Sequence, residues 1–425
     1  MDTVRLDRSL PPLPQSIQDI TFTWPERMQL PSGMPCFFLN SGQQPIVKLE
    51  VLFASGSWYE AVHGVAYFTA KMLRMGTRTR TAQQIAAYLD YYGADLSIQV
   101  NPDHCSLALT VLAKYLTPTL ALLTELLLEP TFPPAQLDLL KNLTLQHRKI
   151  KLEKPNYVAR KRFREAIFGK AHPYGHKLTA EEIQAIVPEQ LHQYHQQHLL
   201  ADGQILISGQ VSQEHLRAVD DHFQHLPIQP AAVVTHPELV KQATRDRIAI
   251  KENSLQSAIH IGRTLFTKQA PDYLGMHFVS VLLGGYFGSR LMRNIREEKG
   301  YTYGIYSHLT AQRHMTHLYI ATEVMQAFTE ETCREIYREV EVLQTEKVAQ
   351  SELEQLRSYM MGHFLTTVHH PFGIMERFKG AHLHGLDRGF YDRFYDTVCG
   401  ISSEDIRRLA SEYLDRGSLT EVVVG

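Results

Sequence analysis

Hydrophobic and polar positions follow two periods along this chain. Short runs with apolar residues at every second position are typical of strands, and longer runs with apolar residues three to four apart are typical of amphipathic helices. In the first half the pattern predicts strands over residues 20–23, 36–40, 46–54, 94–101, 104–112 and 203–209. It predicts helices over residues 63–75, 81–92, 115–128, 134–151, 156–168, 180–186, 188–198 and 213–225, after an extended, proline-spotted arm over residues 1–18.

The same order of elements returns in the second half. Strands are predicted over residues 247–250, 258–264, 303–311, 317–322 and 419–424, and helices over residues 272–283, 326–345, 351–368, 372–386, 391–399 and 403–413. The segment 226–237, LPIQPAAVVTHP, is poor in charge and spaced by prolines, so it predicts a linker between a domain at 1–225 and a domain at 238–425. The repeated order indicates a duplication and an α+β fold, in which helices cover a mainly antiparallel sheet in each half.

Composition excludes several classes of function. The net charge is −2, and no run of Lys and Arg is long enough to predict a nucleic-acid-binding face. The four cysteines lie far apart with no C-x-x-C pair, which argues against a disulfide framework or a thiolate metal site and fits a reducing compartment. The first residues lack the apolar core of a secretory signal, and no apolar run reaches the ~20 residues of a membrane helix. These features predict a cytoplasmic protein without a membrane span.

One stretch, residues 283–307, combines several features that suggest a binding site. Three glycines, Gly284, Gly285 and Gly288, precede a short amphipathic helix, and Gly300 stands where a helix would end in a left-handed residue. An alternating run, YTYGIY at 301–306, then predicts a strand with every second side chain on one face.

Two side chains of this stretch could meet at one peptide carbonyl. Arg296 lies near the end of the predicted helix, and Tyr303 lies near the start of the predicted strand. The local pattern also fits an arginine solvated at a helix end and a tyrosine packed on a half-buried strand. The sequence pattern alone leaves both interpretations open.

Three segments resemble the pitrilysin/mitochondrial-processing-peptidase family of zinc peptidases, the inverzincins. They are VLFASGSWYEAVHGVAYFTAKMLRMGT at 51–77, FGKAHPYG at 168–175 and GSRLMRNIREEKGYTYGIYS at 288–307, and the resemblance spans roughly residues 20–425. It implies two homologous halves folded into a clamp around a peptide chamber. It further implies a zinc site in the first half, made by an H-x-x-E-H helix and a later Glu. In the second half it implies a substrate-binding Arg and Tyr seven residues apart, which match Arg296 and Tyr303.

This sequence departs from the family at the metal motif. In H-x-x-E-H, two histidines four apart on one helix face bind zinc and the glutamate activates water. Here Tyr67 and Lys71 replace the histidines, and Ala70 replaces the glutamate. The later ligand falls at His147 or Arg148, where no carboxylate stands. Because a protonated lysine has no lone pair to offer, we predict that this chain holds no catalytic zinc.

The resemblance therefore implies a zinc-less, non-catalytic subunit of a heterodimeric zinc metalloendopeptidase, with zinc held by a homologous partner subunit. In that role Tyr303 would donate to the oxyanion, Arg296 would hold a substrate carbonyl, and Gly284, Gly285 and Gly288 would leave room for the peptide backbone. A homodimer is allowed in isolation. One alternative is a peptide-binding or structural core subunit with no part in hydrolysis. Another is a peptidase that uses other residues of this chain, for which no nucleophile–base pair is evident.

Overall fold

The computed structural model describes residues 22–31, 33–237, 239, 243–249 and 254–425. The described strands of the first half are β1 Glu26–Gln29, β2 Pro35–Asn40, β3 Ile46–Phe53, β4 Asp95–Val100, β5 Cys105–Leu112 and β6 Gln204–Gly209. Those of the second half are β7 Arg245–Ile248, β8 Gln256–Thr264, β9 Ile305–Ala311, β10 Thr316–Met325 and β11 Thr420–Val424.

Each half builds one sheet, and the two sheets share a topology. The first has the order β1-β2-β6-β3-β5-β4 and the second β7-β11-β8-β10-β9. The pairs β2–β6 and β7–β11 are parallel and the other pairs are antiparallel. Read in chain order, β2–β6 of the first half therefore correspond to β7–β11 of the second. This correspondence confirms the predicted duplication and the predicted α+β class.

Helices cover both sheets. They are α1 Val65–Met72, α2 Ala82–Tyr92, α3 Leu116–Leu128, α4 Pro134–Leu152, α5 Pro155–Phe168, α6 Ala180–Ala185, α7 Pro188–Tyr194 and α8 Gln213–Phe223 in the first half. The second half has α9 Tyr273–Gly284, α10 Thr329–Thr345, α11 Gln350–Thr367, α12 Pro371–His382, α13 Phe390–Gly400 and α14 Ser403–Tyr413, together with a π-helical segment, Met292–Glu298. The predicted capping box at Thr81 and Gln84 opens α2.

The predicted strand at 20–23 is wrong in its described part. Phe22 and Thr23 have no strand structure, and the first described strand begins at Glu26. Phe22 instead packs its ring 4.4 Å from that of Tyr391 in α13. Residues 1–21, which include the predicted arm, lie outside the described residues.

Each sheet is covered on one face by a helix from the other half. Helix α5 of the first half packs on β8 and β11, where Phe163 and Phe168 meet Ala258 and Val422. Helix α12 of the second half packs on β2 and β6 in the corresponding way. Its Met375 and Phe378 form a cluster with Phe37, Leu39, Leu52 and Leu206. This helix exchange buries apolar surface of both halves in shared cores.

The connecting segment 226–237 carries no helix or strand apart from one bridge, Gln229 to Ala201. Its His236 contacts Trp58 of the first half, with ring centroids 4.2 Å apart. Among the described residues, no helix has the length and apolar character needed to cross a membrane.

Candidate functional site

The helix that resembles the zinc-binding helix is α1, and its start is fixed by Glu60. The Glu60 carboxylate accepts hydrogen bonds from the backbone N–H groups of Gly64 and Ala66, each at 3.0 Å. Gly64 has φ 95°, a left-handed conformation that a glycine adopts without strain. A negative carboxylate at a helix N-terminus is favoured by the helix dipole. The loop GSWYEAVHG therefore positions α1 without needing a metal.

The three motif positions on α1 have structural partners instead of an ion. Ala70 is fully buried in the first-half core. Lys71 donates its ammonium to the carbonyl oxygen of Ile98 in β4 at 2.5 Å, and burial lowers the pKa of Lys71. Tyr67 is half-buried and meets Phe68 edge to face, with ring centroids 5.3 Å apart.

Five positions of this chain match the family's zinc site: Tyr67, Ala70, Lys71, His147 and Arg148. The structure brings three of them together. Tyr67 of α1 and His147 and Arg148 of α4 line one cavity of about 310 Å³. Lys151 and Lys177 line the same cavity, and Arg148 donates to the carbonyl oxygen of Leu178 at 3.0 Å. The family's metal positions thus present a phenol, one imidazole and one guanidinium, with two lysines beside them, and these groups are not a ligand set for Zn²⁺. The residues at the family's metal position therefore do not fit the ion.

A second cluster, two members of which line the same cavity, was not singled out by the sequence motifs. His63, His176 and Glu182 have potential ligand atoms within 4.8 Å of one another, the one such group among the described residues. The two imidazoles are stacked, with centroids 3.9 Å apart and planes 20° apart. The nitrogen lone pairs of two stacked rings lie in separate, nearly parallel planes, so they are poorly placed to meet at one ion.

The carboxylate of this cluster is already engaged, and so is Glu60 beside it. Glu182 accepts from His176 Nε2 at 3.0 Å and from the Thr179 backbone N–H at 2.8 Å, where it completes the capping box of α6. A hydrogen bond to Glu60 raises the pKa of His63. We therefore interpret the cluster as a clasp that holds the loop before α6 against the start of α1.

In the second half, Arg296 and Tyr303 are both accessible. Arg296 lies in the π-helical segment, with its guanidinium 4.5 Å from the ring centre of Phe287, itself an exposed side chain. Tyr303 is 97% exposed, with its hydroxyl in solvent. The expected strand starts two residues later than predicted, at Ile305, so Tyr301 and Tyr303 precede β9 and do not share a strand face with it.

The backbone around Tyr303 is held in place although its side chain is free. The Thr302 hydroxyl donates to the carbonyl oxygens of Gly304 and Glu323, and Thr322 adds a further bond to Gly304. The ring of Tyr301 stacks on Phe328 at 4.5 Å. The left-handed Gly300, φ 67°, closes the helical segment as predicted. An exposed phenol on an anchored loop can bind an outside group at small entropic cost.

The three glycines before this segment lie close to other parts of the chain. A Cβ on Gly284 would stand 2.5 Å from the backbone nitrogen of Ser307, and one on Gly285 would stand 2.5 Å from the Cα of Val281. A Cβ on Gly288 would approach the ring of Tyr286 to 2.9 Å. Packing between α9 and β9 is therefore enough to require glycine at the first position.

A cleft of about 800 Å³ lies between the halves. Its walls include the β4–β5 hairpin at 101–104, the β9–β10 hairpin at 311–314 and residues 379–385. The two hairpins touch where the Arg313 backbone N–H donates to Asp103 at 3.0 Å. Arg296 and Tyr303 are not among the residues that line this cleft, so within one chain they do not face the space that the family resemblance would make the peptide chamber.

Comparison with known protein families finds two matching models. The model of the insulinase family, peptidase family M16, matches residues 37–198, and the model of the peptidase M16 inactive domain matches residues 185–360. The matches meet near α6 and α7, and together they run from β2 into α11.

Similar proteins come from several bacteria. The uncharacterized zinc protease YmxG of Bacillus subtilis is 21% identical over 360 residues, covering 83% of this chain and 86% of the relative. The non-peptidase homolog YmxG of Helicobacter pylori is 24% identical over 308 residues, covering 70% of each chain. In fold, the chain is similar to the peptidase M16 inactive domain of Pseudomonas fluorescens, with a TM-score of 0.85, 23% identity and coverage of 94% and 98%. A protease from Helicobacter pylori matches with a TM-score of 0.85, 17% identity and coverage of 94% and 99%.

Proposed function

This chain belongs to peptidase family M16, and from that we propose that it works as the zinc-less subunit of a heterodimeric metalloendopeptidase. The observation that carries the proposal is the joint replacement at the metal position. At the motif positions, Tyr67, the buried Ala70 and Lys71 bonded to Ile98 provide neither the two histidine ligands nor the general base, and no carboxylate stands at His147 or Arg148. A homologous subunit with an intact H-x-x-E-H helix would supply both.

The contribution of this chain to the reaction would come from Arg296 and Tyr303. The Tyr303 hydroxyl would donate to the oxyanion that forms when water adds to the scissile carbonyl, and Arg296 would hold a neighbouring carbonyl of the peptide. Tyr303 is exposed and Arg296 is half-buried beside the exposed ring of Phe287, so both can be reached from another subunit. Gly284, Gly285 and Gly288 would let an extended peptide pass close to the backbone.

The test is a peptide-cleavage assay of this chain alone, of an H-x-x-E-H relative from the same genome alone, and of their mixture. We expect activity in the mixture only, and we expect Tyr303→Phe to lower its turnover about a hundredfold. Tyr306→Phe is the matched control, because Tyr306 lies three residues away and is 49% exposed. Equal turnover of the two variants would remove Tyr303 from the mechanism.

A second candidate is a peptide-binding or core subunit with no part in hydrolysis. The position of Arg296 and Tyr303 outside the cleft between the halves favours it. It predicts that the H-x-x-E-H relative cleaves peptides equally well with and without this chain. It also predicts the same rate when the added chain carries both Tyr303→Phe and Arg296→Met. The name of the Helicobacter relative, a non-peptidase homolog, agrees with either candidate.

A further inference from the structure

The second half contains a cavity of about 280 Å³ that is the counterpart of the cavity beside the degenerate zinc position. In the first half the walls come from α1, the end of β4, α4, α5, the segment after α5 and α6. In the second half they come from the corresponding elements α9, β9, α11, α12 and α13. The duplication has thus produced two equivalent hollows with different linings.

The second-half cavity is lined mainly by aromatic side chains. Six of them surround it: Tyr273, Tyr359, Phe364, Phe390, Tyr391 and Phe394. Met360 and Leu274 add aliphatic surface. A wall of this kind, with a few polar groups, is typical of a pocket for a small organic molecule.

Two cations, Lys268 and Arg377, line the cavity together with three histidines and two serines. Lys268 donates to the carbonyl oxygen of Gly380 at 2.6 Å, and its ammonium lies 5.2 Å from the ring centre of Phe390. Arg377 donates through Nε to the Thr367 hydroxyl at 2.9 Å and lies 5.6 Å from the ring centre of Phe364. Burial, and to a smaller extent the neighbouring Arg377, lower the pKa of Lys268 to about 8.

In the described part of the chain, no aspartate or glutamate lines this cavity. Among the described residues neither Lys268 nor Arg377 forms an ion pair, although Lys379, two residues after Arg377, pairs with Glu50 and Glu376. His277 is neutral near pH 7 and adds no further positive charge, since burial and the same two cations lower its pKa to about 4. Two partly desolvated cations without a counter-ion are costly, and an anionic ligand would offset that cost.

We propose that this cavity binds a carboxylate carried on an aromatic or aliphatic body, with Lys268 and Arg377 holding the carboxylate and the aromatic wall holding the body. The carboxylate can belong to a free organic acid or to the C-terminus of a peptide that ends in an apolar residue. Neither Arg296 nor Tyr303 lines this cavity, although Gly285, which the proposed function places beside the peptide, does. The proposal concerns binding to this chain alone, so it is tested independently of the role of Arg296 and Tyr303 in hydrolysis.

Isothermal titration calorimetry with the full-length wild-type chain tests the charge requirement. The probes are 3-phenylpropionate and its neutral amide, and a short peptide ending in phenylalanine with a free or an amidated C-terminus. We expect at least one acid to bind and its amide to bind about tenfold more weakly or worse, because a charge-assisted hydrogen bond is lost. Which pair shows the difference identifies the source of the carboxylate. Equal binding of acid and amide in both pairs, or binding of neither acid, overturns the proposal.

Substitutions then locate the site. Lys268→Met and Arg377→Met should each weaken binding of the preferred acid about tenfold or more. Lys177→Met is the matched control, because Lys177 lines the first-half cavity and burial lowers its pKa to about 8 as well. Unchanged binding in both test variants, or an equal loss in the control, contradicts the assignment. Should a variant fail to fold, the acid–amide comparison on the wild-type chain still decides.

Discussion

At the scale of single residues, Glu50 in β3 depends on a cation from the other half. Its side chain is 5% exposed, and both of its oxygens accept from Lys379 of α12, at 3.0 and 3.1 Å. Removing one partner of a buried ion pair leaves an uncompensated charge, which is more costly than the pair is stabilising. We expect Lys379→Met to lower the free energy of unfolding by about 3–5 kcal/mol, measured by urea denaturation.

The neighbouring pair provides the control for that measurement. Lys48 and Glu376 form an ion pair at 2.8 Å with side chains 26% and 46% exposed. An exposed pair contributes little, so Lys48→Met should change the same free energy by about 1 kcal/mol or less. Similar losses in the two variants would contradict the burial argument.

A second residue-scale prediction concerns metal content. Because Lys71 and Ala70 replace a ligand and the base, the purified chain should contain well under one equivalent of zinc by atomic absorption. A full equivalent that disappears in a His63→Ala, His176→Ala variant would place the ion in the cluster that we interpret as a clasp. That result would contradict our interpretation of these histidines.

The sequence register of the degenerate site could be predicted, but the side-chain partners could not. Tyr67, His147 and Arg148 lie around one cavity, as the spacing from the family motif implies. Lys71 turns away from it because the Ile98 carbonyl of β4 offers a hydrogen bond. Such a partner depends on tertiary packing, which the local pattern does not contain.

At the scale of elements, α5 and α12 occupy equivalent positions on opposite sheets. Phe163 of α5 is 1% exposed, and Phe378 of α12 is fully buried. We expect Phe163→Ala and Phe378→Ala each to lower the free energy of unfolding by about 3–5 kcal/mol, since each leaves a cavity in a core shared by both halves. Urea denaturation monitored by far-UV circular dichroism measures both.

Exposed apolar residues elsewhere on helices supply the control for these variants. Leu139 of α4 is 54% exposed, so Leu139→Ala should cost well under 1 kcal/mol. A small loss in Phe163→Ala alone would mean that the two exchanged helices are not energetically equivalent.

Most element bounds could be predicted from periodicity, and the exceptions have local causes. The strand after Gly300 starts at Ile305 because the hydroxyls of Thr302 and Thr322 bond to the backbone of this segment in place of strand partners. The alternation of YTYGIY gave no sign of this competition. The irregular segment matters for function, since it leaves Tyr303 exposed.

At the scale of the whole molecule, buried histidines join the halves. His260 and His317 lie under α5, and burial lowers the pKa of His260 to about 4 and that of His317 to about 3. A folded pKa below the ordinary 6.5 means that the unfolded chain binds more protons. The stability that neutral histidines provide is therefore complete above about pH 6.5 and is lost as the pH falls toward 4.

We therefore expect the contact between the halves to weaken between pH 6.5 and 4. Trp58 reports it, because its ring stacks on His314 of the second half at 4.0 Å. In a Trp24→Phe variant, which leaves Trp58 as the sole tryptophan, the urea midpoint measured by fluorescence should fall on acidification. Replacing both His260 and His317 by glutamine should make the urea midpoint depend less on pH. An unchanged pH dependence would contradict their role.

The duplication could be predicted from element order, whereas the exchange of helices could not. Helix α5 reaches β8 and β11 across roughly a hundred to two hundred and fifty residues of chain, and no local pattern encodes which sheet an apolar helix face will cover. The second-half cavity with Lys268 and Arg377 could not be predicted for the same reason, because the two residues are far apart in sequence and form no motif.

Because each half covers the sheet of the other with a helix, this polypeptide is equivalent to a symmetric dimer whose two copies are fused in one chain. In a dimer of identical chains every substitution appears twice, so a change that is favourable in one cavity also occurs in the other. Fusing the copies removes that constraint. The first-half cavity could then lose its zinc-binding motif while the second-half cavity acquired two positive charges, and neither change altered the shared fold.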